Sequence, residues 1–138
     1  MSISAGLKHT ASLRVASRHT VPEVEPDWPG FRDMPAVLAT AMMIGFVEQT
    51  CIEGLRPFLD SGQRTVGTHV DISHLAATAV GMTLTVSVEL IEVQGRSLLF
   101  RVECHDEGGL VGDGIHRRAI VDQERFLQRL AEKVAALK

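Results

Sequence analysis

The chain has 138 residues, of which 45% are hydrophobic and 22% are charged, and its formal net charge is −3. This length and composition are typical of one globular domain with a full core, so we predict a single domain over residues 1–138. The slightly acidic charge argues against nucleic acid or an anionic membrane as the main partner. No apolar run approaches the length of a bilayer span, so we expect no membrane insertion.

The chain has two cysteines, Cys51 and Cys104, and its first residues, MSISAGLKHTAS, lack the apolar block of a signal peptide. Two buried thiols in a reducing compartment are the simplest interpretation, and we therefore expect a cytoplasmic protein. Because no cysteine, histidine or carboxylate motif has the spacing of metal ligands, we expect no metal and no cofactor.

The first part of the chain is predicted to be extended over residues 6–21 and then to form a proline-rich segment. That segment, at about residues 20–34, holds the only tryptophan and, with Pro35 next to it, four of the five prolines. Proline restricts itself and the residue before it, which predicts an ordered, non-helical lid or linker. Its large apolar side chains indicate that it covers something; they are Val21, Val24, Trp28, Phe31 and Met34.

The longest helical pattern runs from about residue 34 to residue 59, with Asp33 as its expected N-cap and Pro35 in its first turn. Its apolar residues recur at helical spacing and predict a face packed on a core. They are Val37, Ala41, Ile44, Ile52 and Leu55. Glu48 lies on the same stripe and Thr40 on roughly the same side. A carboxylate on a buried face must be paired or neutralised. Glu48 and Thr40 are therefore either polar residues satisfied by local hydrogen bonds or part of an active site.

After the helix, the pattern changes to the alternation of half-buried strands. We predict strands over about residues 64–75, 82–90, 98–103 and 110–121, followed by an amphipathic helix over 123–138. Such an antiparallel meander must cover its apolar face, and the long helix is the obvious cover. The sequence therefore predicts an α+β fold in which a sheet wraps one central helix. The open edges of that sheet favour a homodimer.

Several residues could carry chemistry, but each has a plainer explanation. His74 alone is most often a structural histidine, and a helix threonine such as Thr40 can bond back to its own backbone. Gly67 could offer its N–H to a ligand carbonyl or form a bulge. Of Arg117 and Arg118, which fall on opposite strand faces, one should face solvent or a ligand phosphate and the other should pack or pair inward.

Three motifs together resemble the fluoroacetyl-CoA thioesterase family of hot-dog proteins. They are F-x-x-M-P-x-V-x-A-T-x-x-M-x-x-x-x-E from Phe31, V-G-T-x-x-x-x-x-H from Val66, and G-x-G-x-H-x-R-A-x-V from Gly112. The resemblance covers about residues 20–126 and implies a hot-dog fold, hydrolysis of a short acyl-CoA thioester, and a homodimer with sites near the subunit interface. A tetramer is the alternative assembly.

The resemblance also implies roles for individual residues. Thr40, Glu48 and His74 match the catalytic threonine, glutamate and histidine. Gly67 matches a glycine that helps to place the thioester, and Arg118 matches an active-site arginine. The apolar lid over the acyl pocket is matched by Val21, Val24, Phe31 and Met34.

The sequence departs from the family at Met34, where the fluoroacetyl-specific enzyme has a lid phenylalanine, and at Leu38, which replaces an aromatic residue. Methionine is flexible, so the gate should be less rigid and fluoroacetyl specificity does not follow. Two other functions stay open: a hot-dog acyl-CoA hydratase or dehydratase, and a non-catalytic acyl-CoA binding module.

Overall fold

The computed structural model describes residues 2–138, and within them the chain forms one five-stranded antiparallel sheet. The strand order is β1-β3-β4-β5-β2, so β1 and β2 are the two edges. The strands are β1 (Lys8–Arg14), β2 (Gln63–His74), β3 (Thr83–Gln94), β4 (Ser97–Asp106) and β5 (Gly109–Asp122). The alternating pattern of the sequence thus predicted the four later strands close to their observed bounds.

The proline-rich segment contains two single-turn helices, α1 (Val21–Val24) and α2 (Pro29–Arg32), so the prediction that it is non-helical was wrong. Each begins with proline at its first or second position, where the missing N–H removes no helical hydrogen bond. The segment is ordered, as predicted, because both of its ends are tied down. Thr20 bridges Leu38, and the Val21 N–H donates to the carbonyl of Val37.

The central helix, α3 (Thr40–Leu55), begins six residues later than predicted. Its N-cap is Ala39, so Asp33 is not the cap and Pro35 lies outside the helix. The residues before Ala39 are extended because they pair with other segments, in the Thr20–Leu38 bridge and in a bridge from Val37 to Ala79. A 3₁₀ turn over Arg56–Phe58 continues the helix at its C-terminal end.

The core lies between α3 and the concave face of the sheet. The helix residues that are buried there are Met43, Val47, Thr50, Cys51, Gly54 and Leu55. Of the predicted core stripe, Leu55 is buried and Ile44 packs half-buried against the core, whereas Ala41 is exposed. Since each helical residue turns by about 100°, the Ile44–Glu48–Ile52 row lies beside the Met43–Val47–Cys51 row, half-buried at the flank of the core.

The helix approaches the sheet closely at Gly112 of β5. A Cβ atom at this position would lie 2.6 Å from the carbonyl oxygen of Ser73 and 3.1 Å from Cε of Met43. Real Cβ atoms do not come so close to a backbone oxygen, so glycine is required there.

The chain ends in a second long helix, α4 (Gln123–Ala135), which follows β5 directly. Asp122 caps it, because its carboxylate accepts a hydrogen bond of 3.0 Å from the Arg125 N–H. The predicted α+β fold, with an antiparallel sheet wrapped around one long helix and a C-terminal helix, is confirmed. Within residues 2–138, no helix is both long and apolar enough to cross a membrane.

Candidate active site

Glu48 lies in the middle of α3, with its side chain 39% exposed and one carboxylate oxygen held from the sheet side. Oε2 accepts a hydrogen bond of 2.8 Å from Nη1 of Arg118, a residue of β5 that is only 2% exposed. A charge-assisted contact of this kind, made by a buried arginine, fixes the carboxylate in one orientation. The sequence predicted that one of two adjacent arginines pairs inward, and that residue is Arg118.

Arg118 is itself held rigidly by Thr65 of β2. Its Nε donates to the Thr65 hydroxyl at 2.9 Å and its Nη2 donates to the Thr65 carbonyl at 2.8 Å. All three guanidinium nitrogens therefore have partners inside the chain. Arg118 thus holds the Glu48 carboxylate in place, while one N–H of its Nη2 has no partner within residues 2–138.

His116 is a member of this cluster that the sequence analysis did not single out. It is fully buried, its Nδ1 lies 2.8 Å from the carbonyl oxygen of His69, and its Nε2 lies 3.1 Å from Nη1 of Arg118. Burial lowers the pKa of His116, with the nearby Arg118 charge acting in the same direction. The ring is accordingly neutral, donating from Nδ1 and accepting from Arg118 at Nε2. Its position two residues before Arg118 on one strand could have identified it.

Gly67 of β2 lies against the Glu48 carboxylate. A Cβ atom there would be 2.6 Å from Oε2 of Glu48 and 3.4 Å from Nη1 of Arg118. Any side chain at this position would displace the carboxylate. The pairing of β2 with β5 also shifts register between Gly67 and His69, so a bulge and a close approach coexist at this glycine.

Thr40 and His74 form a second polar group. Thr40 is the first residue of α3 and His74 is the last residue of β2, and their Oγ1 and Nδ1 atoms lie 2.7 Å apart. The other ring nitrogen of His74, Nε2, is buried and has no hydrogen-bond partner within residues 2–138. Buried polar atoms are nearly always paired in native proteins, so this nitrogen is a candidate for contact with a ligand or a second subunit.

The structure thus brings the predicted residues together as two groups, Thr40 with His74 and Glu48 with Gly67 and Arg118. Thr40 and Glu48 are eight residues apart on α3, a rise of about 12 Å. Within the described residues, no hydrogen bond links Glu48 to Thr40 or His74. The lid residues Val21, Val24 and Phe31 are half-buried, whereas Met34 is 48% exposed.

Two other kinds of site find no support in the structure. Cys51 is fully buried, and burial raises the pKa of its thiol to about 12, so it is protonated and inert as a nucleophile. Among residues 2–138, no group of three or more histidine, cysteine or carboxylate side chains could hold a metal ion.

An antiparallel sheet around a helix that presents a carboxylate is the architecture of the hot-dog thioesterases. A solved thioesterase-superfamily structure from Thermus thermophilus matches this chain with a TM-score of 0.79 and 28% identity, over 97% of each chain. The chain belongs to the fluoroacetyl-CoA-specific thioesterase family, whose sequence profile matches residues 15–124. The family, the fold and the class of thioester hydrolase predicted from the sequence are confirmed.

Relatives within this family are similar along almost the whole chain. The fluoroacetyl-CoA thioesterase of Streptantibioticus cattleyicolor is 37% identical over 131 residues, which cover 95% of this chain and 94% of the relative. A solved structure of fluoroacetyl-CoA thioesterase has a TM-score of 0.93 and 35% identity, covering 96% of this chain and 98% of that one. A variant of that enzyme was solved in complex with fluoroacetate and CoA, with a TM-score of 0.87 and 37% identity over 90% of this chain and 99% of that one.

Proposed function

We propose that this chain hydrolyses short-chain acyl-CoA thioesters to the free acid and CoA, with Glu48, His74 and Thr40 as its catalytic residues. The observation that carries this proposal is the Glu48 carboxylate. It is half-exposed on the central helix, fixed through Oε2 by a buried arginine, and has room beside it only because residue 67 is glycine. An acidic group that is preorganised yet accessible to a ligand is typical of catalysis.

The reacting atom is the second oxygen of Glu48, Oε1, which has no hydrogen bond within residues 2–138. It either attacks the thioester carbonyl carbon or removes a proton from a water molecule that attacks it. In the first route, the carbon–sulfur bond breaks to leave a mixed anhydride, which water then hydrolyses. Both routes consume one water and release the acid and the CoA thiol, so the reaction requires no cofactor.

The Thr40–His74 pair supplies the proton that the departing thiolate needs. A hydrogen bond between Thr40 and Nδ1 orients the imidazole, and the unpartnered Nε2 is the atom that exchanges a proton with the substrate. The Gly67 backbone, which adjoins Glu48, is the group that places the carbonyl oxygen, while the Thr40 hydroxyl orients His74. Arg118 holds the Glu48 carboxylate in place.

The lid sets the size of the acyl group. Val21, Val24 and Phe31 supply its half-buried apolar surface, and Met34 supplies a flexible side chain that adapts to more than one short acyl group. A panel of acetyl-, fluoroacetyl-, short branched and aromatic acyl-CoAs, followed by thiol release, measures this specificity. Equal rates for acetyl- and fluoroacetyl-CoA would agree with a permissive lid.

The active form is proposed to be a homodimer. Support comes from β2, which is an edge strand of twelve residues next to the site, with Val70 exposed on it and Leu75 exposed just after it. A long open edge strand is normally paired or covered in native proteins, and joining two copies would place both sites near the interface. The two free cysteines agree with the reducing cytoplasm as its compartment.

Replacing Glu48 with Gln tests the proposed mechanism, because the amide keeps the size of the carboxylate and removes its charge. We expect kcat for the best acyl-CoA to fall by at least about 1,000-fold, while CoA binding by calorimetry changes little. Glu92→Gln, on an exposed position of β3, is the matched control and should retain full activity. Retained turnover in Glu48→Gln would refute the mechanism, and binding without turnover in the unmodified protein would favour the binding module.

Val70→Asp tests the proposed dimer. A carboxylate introduced at the open edge of β2 would face its own copy across the interface, and like charges there repel. We expect sedimentation analysis to show a dimer for the unmodified protein and a monomer for the variant. A monomer in both cases would contradict the proposal.

A further inference from the structure

A groove with both polar and apolar walls lies at the C-terminal end of α3, where the helix faces the start of β2. It has a volume of about 370 Å³ and is lined from the helix side by Ile52 and Arg56 and from the strand side by Arg64 and Thr65. Neither the fold nor the proposed chemistry of Glu48 accounts for it. Its two arginines point to an anionic occupant.

The groove lies beside the active site. Thr65, one of its lining residues, holds the Arg118 guanidinium that in turn holds Glu48. Ile52, another lining residue, follows Glu48 by one helical turn on the same row of α3. The groove therefore adjoins the Glu48 cluster, about one helical turn from the carboxylate on the side away from the start of the helix.

The opposite direction along α3 leads to the lid, which precedes the first residue of the helix. With the thioester carbonyl at Glu48 and its short acyl group on the lid side, the sulfur stays between Glu48 and His74, and the pantetheine arm beyond it leaves toward the C-terminal end of the helix. The CoA arm then reaches the groove.

Of the two arginines that line the groove, Arg64 has the charge that is more available to bind an anion. It is exposed, and only its Nη1 is engaged, in hydrogen bonds of 2.9 and 2.7 Å to the carbonyls of Ser61 and Gln63. Within residues 2–138, Arg64 forms no ion pair. By contrast, Arg56 is already neutralised by Glu53 through contacts of 3.0 and 3.1 Å. Asp60 is the acidic lining residue and opposes an anion there.

We propose that this groove binds the phosphate-bearing nucleotide end of the CoA substrate, with Arg64 as its principal phosphate ligand. Arg64 lies three strand residues from Gly67, about 10 Å along β2, and Arg56 lies about 12 Å from Glu48 along α3. Those separations place the arginines away from the reacting carbon, as a long pantetheine arm requires. This inference rests on the proposed function, since it assigns the far end of the same substrate.

Binding of CoA and of pantetheine, which lacks the nucleotide and all of its phosphates, tests the proposal independently of turnover. For the unmodified protein, we expect calorimetry to show CoA binding more tightly than pantetheine. In Arg64→Gln, the dissociation constant for CoA should rise about five- to twentyfold, whereas that for pantetheine should stay constant. Arg101→Gln, which removes the same charge from an exposed position on β4, should change neither.

Two further measurements test whether CoA binding depends on charge in the groove, and the CoA affinity should rise in one and fall in the other. Asp60→Asn removes the opposing carboxylate, so it should tighten CoA binding about two- to fivefold and leave pantetheine unaffected. Raising the salt concentration should weaken CoA binding by the unmodified protein more than by Arg64→Gln. An unchanged CoA affinity in Arg64→Gln, or equal losses for CoA and pantetheine, would overturn the proposal.

Kinetics separate this inference from the proposed function. If Arg64 binds phosphate, Arg64→Gln raises KM for acetyl-CoA while kcat/KM for the S-acetyl-N-acetylcysteamine thioester is unchanged. Absence of thiol release from both substrates with the unmodified protein would count against the hydrolase mechanism, and the CoA-binding comparison would still decide the role of the groove.

Discussion

The two polar groups of the site differ in how firmly they are held. Glu48 belongs to a cluster in which Arg118, His116 and Thr65 satisfy one another through hydrogen bonds of 2.8 to 3.1 Å. His74 is held by one hydrogen bond to Thr40, and its other nitrogen is unpartnered within residues 2–138. A group that must stay charged and aligned needs the first kind of support, and a group that exchanges protons needs the second. The Glu48 carboxylate is therefore the more rigidly positioned of the two groups.

Among variants that test this difference between the two groups, we expect His74→Ala to have the largest effect on activity. Losing the proton donor should reduce kcat about 100- to 10,000-fold, with a smaller change in KM. Thr40→Val should reduce kcat less, because the imidazole stays and only its orientation is lost. Since the two side chains act as one unit, the double variant should be no worse than His74→Ala alone. Additive losses in steady-state kinetics would show that Thr40 acts separately, for example on the carbonyl oxygen.

Gly67→Ala is expected to give the next largest effect, through the rigid group. Its Cβ would meet Oε2 of Glu48 at 2.6 Å, so the carboxylate must shift and its contact with Arg118 must lengthen. A displacement of about 1 Å at a reacting group costs roughly 100-fold in kcat/KM. Gly62→Ala is the matched control, since a Cβ there meets nothing within 4 Å. Equal activity of the two variants would mean that the alignment of Glu48 is not critical.

The smallest effect concerns stability and depends on pH. Burial lowers the pKa of His116 below the value of about 6.5 that is usual for histidine. When the pH falls below about 6.5, the unfolded chain binds a proton at this residue before the folded chain does. This group therefore reduces the free energy of unfolding by up to about 1.4 kcal/mol per pH unit, and the loss is absent above pH 6.5.

His116→Gln cannot titrate, so its unfolding free energy should depend less steeply on pH between 5 and 6.5 than that of the unmodified protein. Urea unfolding at several pH values measures the two slopes. His105→Gln, at a half-exposed position on β4, is the control for removing a histidine. Parallel curves for His116→Gln and the unmodified protein would show that His116 is not held neutral by burial.

The strands could be predicted because alternation is a local property of the sequence and survives in the folded sheet. The start of α3 could not, since Val37 and Leu38 are kept extended by bridges to Ala79 and Thr20, and such pairings are decided in three dimensions. The pattern contained Pro35 near an apparent helix start, which favours helix locally, and tertiary pairing overrode it. The prediction for the lid was wrong in the opposite direction: the lid was predicted to be non-helical, but its prolines begin two single-turn helices.

The sequence predicted which residues belong to the candidate site better than it predicted the hydrogen bonds that join them. The resemblance to the family identified Thr40, Glu48, His74, Gly67 and Arg118, whose catalytic and binding roles remain predictions. The hydrogen bond between Glu48 and Arg118 joins residues 70 positions apart, and no periodicity reveals such a contact. His116 could have been predicted from the sequence, since strand alternation places it on the same face as Arg118.

The lid is a loop whose two ends are fastened side by side, by the Thr20–Leu38 bridge and by the hydrogen bond from Ala39 to the carbonyl of His19. Because its ends already meet, residues can be added or removed between them at little entropic cost and without moving the sheet or α3. Under the proposed function, changes in length or composition over residues 25–34 would therefore alter the acyl pocket while leaving the chemistry of Glu48 intact. Substrate range could then evolve separately from catalysis.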